Sequence, residues 1–278
     1  MNEISVLNEA QSIRLNRTDD IIRTFISAQD VRESSRNIYS RTLKQYFAWI
    51  NKKEYDLSRV ARPQIIEFKS ELLISGLSAL TVGSYISSVR RFYEWCESEK
   101  IYFNIAKGVK SPKRQNKFRR HGLTPEQSQR LLSYFSERSP RDYAIISLLL
   151  RTGIRTIELC RADISDLTFQ SGQRILKIKG KGHTDKDSFV CITDKTFQAI
   201  DSYLRTRGRI RSGDPLFTSD SNNSMGKRLT TKTISSTAKE GLRHIGLNCP
   251  EFTAHSLRHT CAETILRAGG TIHICAFL

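Results

Sequence analysis

Residues 255–259 read His255-Ser256-Leu257-Arg258-His259, inside the run TAHSLRHTCAETILRAGG that spans 253–270. The spacing of apolar residues predicts a helix over Thr253 to Ala268, closed by Gly269-Gly270. On such a helix His255 and Arg258 are three apart and share a face. His255 and His259 are four apart, a spacing that also suits a metal. The zinc-protease version of that spacing needs Glu after the first histidine, and Ser256 stands there instead. Glu263 lies a turn further on, and His244, His273, Cys261 and Cys275 are close in sequence, so a metal site stays an alternative.

Upstream of this helix lie two more clusters. Thr152-Gly153-Ile154-Arg155-Thr156-Ile157-Glu158-Leu159 follows the apolar helical run Pro140 to Arg151. Gly153 suits a left-handed helix end, which puts Arg155 at a tight turn with Glu158 placed to orient it. Lys179-Gly180-Lys181-Gly182 joins the β-like runs Arg174 to Lys179 and Ser188 to Ile192, a plausible antiparallel hairpin with Lys181 at its tip. Thr124-Pro125-Glu126-Gln127 carries the chemistry of a helix start, and Asp194 to Arg207 and Thr231 to Ile245 read as further helices. From about residue 122 onward the chain therefore reads as mostly α with a small sheet, an α+β domain over 122–278.

The run AKGVKSPKRQNKFRRH, Ala106 to His121, holds seven basic residues and no acidic one. Gly108 and Pro112 argue against a regular element there. It reads as an exposed linker, with Lys107, Lys110, Lys113, Arg114, Lys117, Arg119 and Arg120 as candidate contacts to a phosphate backbone. Before it, four helical segments are expected: Asp20 to Ala28, Ser34 to Asn51, Arg62 to Ser75 and Ser78 to Ser98. Pro63 falls in a first turn, and Ser78 or Thr81 can cap the fourth, whose apolar set runs through Val82, Ile86, Val89 and Phe92. Four helices with short connections make a small bundle over 19–105, after a tail of residues 1–18.

Totals narrow the partner. Across 278 residues, 45 Lys and Arg against 28 Asp and Glu leave a net charge of +17. A surface that basic attracts a polyanion, nucleic acid first and an anionic membrane surface second. No apolar stretch is long enough to span a bilayer, and Met1 to Asn16, with Glu3 and Glu9 and no apolar stretch, does not read as a signal peptide. The six cysteines are scattered with no Cys-x-x-Cys pair, so most are expected to be buried thiols in a reducing compartment.

Two arginines, a lysine and a histidine suit a phosphodiester undergoing displacement. Arginine forks pair with non-bridging oxygens as charge grows there; lysine can protonate a departing alkoxide; histidine can exchange a proton with the attacking group. The order Arg in TGxRxxEL, Lys in GKG, then HxLRH resembles the tyrosine recombinases, or phage integrases, from about Asp20 to the end. The resemblance implies a SAM-like core-binding bundle and a catalytic domain that clamp duplex DNA. It implies Arg155 and Arg258 as the catalytic arginine pair, Lys181 as general acid, His255 in proton transfer and Glu158 as a structural acid. It also implies strand breakage and rejoining through a 3′-phosphotyrosyl intermediate, without metal or other cofactor. The partners it implies are a homotetramer on paired DNA sites and accessory directionality factors, with no membrane, in a bacterial cytoplasm at the nucleoid.

The departure comes at the end. The family continues after HxLRH with Leu-Gly-His or Leu-Gly-Trp and then its nucleophilic tyrosine, whereas here Ala276-Phe277-Leu278 closes the sequence and the last tyrosine is Tyr203. Tyr203 shares apolar helical spacing with Phe197 and Ile200, which points to burial. The expectation is a chain cut short before its nucleophile and inactive in cleavage, whose full-length parent recombines DNA. The alternatives are a DNA-binding module without catalysis, a related topoisomerase, and a metal-dependent nuclease built on His255 and His259.

Overall fold

A computed structural model describes residues 18–113, 121–179 and 185–270. The chain divides into two compact units, Met1–Lys117 and Phe118–Leu278. Helices dominate both, and the second adds one small antiparallel sheet, the mainly α architecture expected from the sequence.

The first unit is a bundle of four helices: α1 (18–27), α2 (Glu33–Lys52), α3 (Arg62–Ile74) and α4 (Ala79–Ser98). Leu43, Tyr46, Phe47 and Ile50 form the buried line of α2, at the i, i+3, i+4, i+7 spacing of one helical face. Ile38 and Trp49 lie at the edge of that line. Ile38 is exposed, and the Trp49 indole N–H donates to Glu71 at 2.7 Å. Facing them, α4 buries Val82, Ile86, Val89 and Phe92, and its Ser78 cap accepts from Thr81 N at 3.1 Å. Aromatic rings fill the centre. Phe92 meets Phe25 and Phe47 edge-on at 5.5 and 5.4 Å, and the buried hydroxyls of Tyr46 and Tyr93 satisfy each other at 3.1 Å.

The basic run does not leave this unit where its composition changes. Ala106 and Val109 are buried in the first core. Arg62 donates to Lys107 O at 2.5 Å, Lys69 to Lys110 O at 3.3 Å, and Arg90 to Ser111 Oγ at 3.2 Å. The expectation of exposure is thus corrected at Ala106 and Val109, while Lys107, Lys110 and Lys113 are exposed as expected. Two small apolar residues among the lysines are enough to fasten the start of the run, while cations on α3 take up two of its carbonyls and Arg90 of α4 takes the Ser111 hydroxyl.

In the second unit, α6 (Pro140–Thr152) is the hub. Its residues Ala144 to Leu150 are buried on every side, packed by α5 (Pro125–Ser136), α8 (Asp194–Thr206), α9 (Thr231–His244) and α10 (Ala254–Arg267). Thr124 and Gln127 cap α5 reciprocally, at 3.2 Å from Gln127 N to Thr124 Oγ1 and 2.9 Å from Thr124 N to Gln127 Oε1. Between the short α7 (Thr156–Arg161) and α8 lies a sheet ordered β1-β2-β3, made of β1 (Leu167–Gln170), β2 (Gln173–Ile178) and β3 (Ser188–Cys191). Leu167, Leu176 and Val190 pair across all three strands and turn one face to the core. Strand β1 had no expectation attached to it. Ser171 and Gly172, at φ 51° and 79°, form the tight turn that folds it onto β2. Among the described residues, no helix is long and apolar enough to cross a membrane.

Candidate phosphate-binding cleft

The cleft begins with a glycine. Gly153 ends α6 in the left-handed conformation, φ 64° and ψ 16°, and its amide donates to Leu149 O at 3.1 Å. A side chain there would strain the turn. The turn buries Ile154 and delivers Arg155 to the start of α7. Glu158, one turn on, is fully buried. It accepts from the Arg155 amide at 2.7 Å with one oxygen and from the Arg155 guanidinium at 2.7 Å with the other. The side chain of Arg155 is 43% exposed, so the clamp fixes its direction while leaving part of the fork accessible.

Helix α10 supplies the facing wall. Thr253 accepts from His255 N at 3.3 Å, and Thr253 N donates to Ser256 Oγ at 3.0 Å. Ser256, where a zinc protease would carry its acid, is buried and donates onward to Glu251 O at 3.0 Å. Its work is to cap α10. Arg258 reaches back across the cleft to donate to the Gly153 carbonyl, so the HxLRH helix is tied to the turn that carries Arg155. Burial first, then repulsion from the Arg155 guanidinium, hold Arg258 below the ordinary arginine value, with Glu158 countering in part. An anion beside Arg258 would offset that repulsion.

Arg155, His255 and Arg258 line one open cleft of about 620 Å³. The His255 ring stands edge-on to His259 with centroids 4.8 Å apart. The same cleft is lined by Ser235 and Lys239 of α9, which the sequence reading passed over. Their only signal is a polar pair four apart beside the buried stripe Ile234, Ala238 and Leu242. Lys239 Nζ donates to Cys249 O at 2.8 Å and Phe252 O at 3.2 Å.

Lys181 lies outside the described residues, as do Arg114, Lys117, Arg119 and Arg120 of the basic run. Lys107, Lys110 and Lys113 are described and belong to the first unit. On the sheet side, Lys186 pairs with Asp163 at 2.7 Å and with Asp166. Arg228 caps the end of α7 through the carbonyls of Cys160 and Ala162, each at 3.0 Å, and pairs with Asp163 at 2.5 Å. Partial burial pushes the Asp163 carboxyl up, but Lys186 and Arg228 outweigh it and hold the group below the usual carboxylate range.

Tyr203 takes no part in the cleft. It is buried, its ring stacks on Phe217 at 5.4 Å, and its hydroxyl sits 3.1 Å from both Oγ1 and the amide of Thr218. Among the described residues, no three His, Cys, Asp or Glu side chains come close enough to hold a metal. Cys96, Cys160 and Cys261 are buried, Cys249 is half-buried, and Cys191 on β3 is exposed.

Residues 121–276 match the phage integrase family, and residues 22–100 match the phage integrase N-terminal SAM-like domain. Tyrosine recombinase XerC of Thermodesulfovibrio yellowstonii is 29% identical over 247 residues, covering 85% of this chain and 78% of that one. Tyrosine recombinase XerA of Pyrococcus horikoshii is 28% identical over 260 residues, covering 92% and 82%. In fold, the chain is similar to the XerH site-specific recombinase bound to its palindromic difH substrate. That likeness has a TM-score of 0.69 and 22% identity, over 86% of this chain and 71% of that one. It is also similar to the Tn1549 transposon integrase in complex with transposon right end DNA, with a TM-score of 0.71 and 17% identity over 93% and 89%. Because the larger family match takes in more than half of the sequence, the chain belongs to the phage integrase family, the tyrosine recombinases.

Proposed function

We propose that this chain is the DNA-binding and phosphate-activating part of a site-specific recombinase, with duplex DNA as its partner. The observation that carries the reading is the meeting of Arg155, Arg258 and His255 at one cleft, with Arg258 bonded to the turn that carries Arg155. A scissile phosphate seated there would accept from both forks. Their charge counts most as negative charge accumulates on the non-bridging oxygens in the transition state. His255 exchanges a proton with the attacking hydroxyl. Lys181, whose place in the sequence falls between β2 and β3, protonates the departing 5′ oxygen. A tyrosine oxygen forms the bond to phosphorus as the 5′ oxygen leaves, and the reverse attack by a 5′ hydroxyl rejoins the strand. The side-chain cations supply the charge stabilisation for this route.

The first unit and the basic run 106–121 are read as the other half of the clamp, and the second unit, from residue 122, as the catalytic domain. Recombination by such a protein would proceed as a homotetramer on paired sites, with accessory directionality factors, in the bacterial cytoplasm. Among residues 204–278 there is no tyrosine, and Tyr203 is engaged in the core. For these 278 residues by themselves the reading is therefore binding without covalent attachment.

A nicked suicide duplex distinguishes the outcomes on a denaturing gel. A version of the chain extended by a family-derived segment that carries the tyrosine should give a covalent protein–DNA band that Arg258→Ala abolishes. The 278-residue chain should give a shift on a native gel and no covalent band. A covalent band from the 278-residue chain would place a nucleophile inside it and overturn the binding-only reading. Wild-type cleavage by the Arg258→Ala protein would overturn the assignment of the cleft.

A further inference from the structure

The loop 249–253 decides where α10 begins, and hence where His255 and Arg258 stand. Its backbone carbonyls are taken up from two directions. Ser256, inside α10, donates to Glu251 O. Lys239, on α9, donates to Cys249 O and Phe252 O at 2.8 and 3.2 Å. The latter two bonds join α9 to the loop through one ammonium group, which also lines the cleft beside Arg155, His255 and Arg258. Cys249 and Phe252 bracket the turn immediately before the Thr253 cap. A hydrogen-bond donor with three protons suits two carbonyls that converge on one point, and its charge strengthens both bonds.

We propose that Lys239 is a positioning residue for the phosphate cleft: it holds the 249–253 loop so that His255 and Arg258 meet Arg155 around one anion. The proposal rests on reading the cleft as a phosphate site. Loss of Lys239 would take its donor from Phe252 O, leave Cys249 O with only the Phe252 amide at 3.3 Å, and free the first turn of α10 to shift. A displacement on the order of 1 Å is enough to weaken a two-arginine site severely. Two other roles compete with this one. Lys239 could be a purely structural tie, in which case stability falls and anion binding does not. It could act only as one more charge near the anion, in which case its effect is screened away by salt.

The test is a titration of the 278-residue protein with inorganic phosphate, followed through the His255 ring signals by NMR. It is run at about 0.15 M and about 1 M sodium chloride, where the Debye length falls from about 8 Å to about 3 Å. The wild-type signals should move saturably, and Arg258→Ala should remove the response. Lys239→Met should weaken the apparent phosphate affinity about tenfold at both salt concentrations, and Lys239→Arg, which keeps a multivalent donor, should restore most of it. Thermal melts of each variant report folding separately. An unmoved His255 in the wild-type protein would overturn the phosphate reading of the cleft and the proposal with it. A normal wild-type response with unchanged affinity in Lys239→Met would overturn the positioning role alone. So would a defect that vanishes at high salt, or one that Lys239→Arg does not repair while its melting temperature is wild-type.

Discussion

Glu158 shows how one buried carboxylate can set the direction of a surface arginine. Both of its oxygens face Arg155, one toward the amide and one toward the guanidinium, and the side chain itself has almost no exposure. Replacing it with glutamine keeps the volume and one acceptor but turns an N–H₂ group toward donors that cannot accept. Breaking this half-buried pair from its buried side leaves the Arg155 donors facing another donor, which costs about 1–3 kcal/mol. Glu158→Gln is therefore expected to lower the unfolding free energy by about that amount, read as a drop in denaturant midpoint at constant m-value. It should also let the Arg155 fork turn, so anion affinity falls with stability. An unchanged midpoint would mean that desolvation of the carboxylate already cancels its attraction to Arg155.

At the scale of elements, α9 packs tightly against α5 at Gly241. A Cβ at Gly241 would stand 2.3 Å from Phe135 Cε2 and 2.6 Å from Leu131 Cδ1. Alanine gains about 1 kcal/mol over glycine in a helix interior. Against this, Phe135 and Leu131 are both buried with nowhere to go, and overpacking costs about 1–3 kcal/mol. The packing term wins, so Gly241→Ala should lower the melting temperature by a few degrees in a calorimetric or circular-dichroism melt; a raised melting temperature would show that α9 can slide. The elements legible in the sequence are those whose signals are local. They include the stripe of α4, the Thr124 and Ser78 caps, and the all-apolar turn of α6 ended by Gly153. Arg155, His255 and Arg258 were legible because they stand in two short motifs, TGxRxxEL and HxLRH. Lys239 was not, since its partners are carbonyls of a loop 10 and 13 residues away and carbonyls carry no sequence signature. Strand β1 was missed because four residues with a half-exposed pattern carry too little periodicity. The burial of Ala106 and Val109 was missed because the lysines around them outweigh two small apolar side chains in any compositional reading.

Over the whole molecule, two units with separate cores are joined through a run whose seven positive charges belong to a total of +17. Charge on this scale acts through the ions it displaces. Each phosphate neutralised on duplex DNA releases counterions, and the logarithm of the binding constant then falls with the logarithm of salt by about 0.9 per contact. If the run lies along the backbone, replacing Lys113, Arg114, Arg119 and Arg120 by alanine should flatten that slope by up to about 3–4. The loss should be the same for duplexes of unrelated sequence, because phosphate contacts carry no base information. Lys107 and Lys110 belong to the first unit, where their backbone carbonyls accept from Arg62 and Lys69, bonds that a side-chain substitution leaves in place. Filter-binding or fluorescence titrations at four or five salt concentrations give both quantities at once. A weaker affinity with an unchanged slope would point to altered folding of the linked units instead of lost phosphate contacts. If neither quantity changes, the run is a solvated tether, and the excess charge that engages DNA lies on the helical faces of the two units.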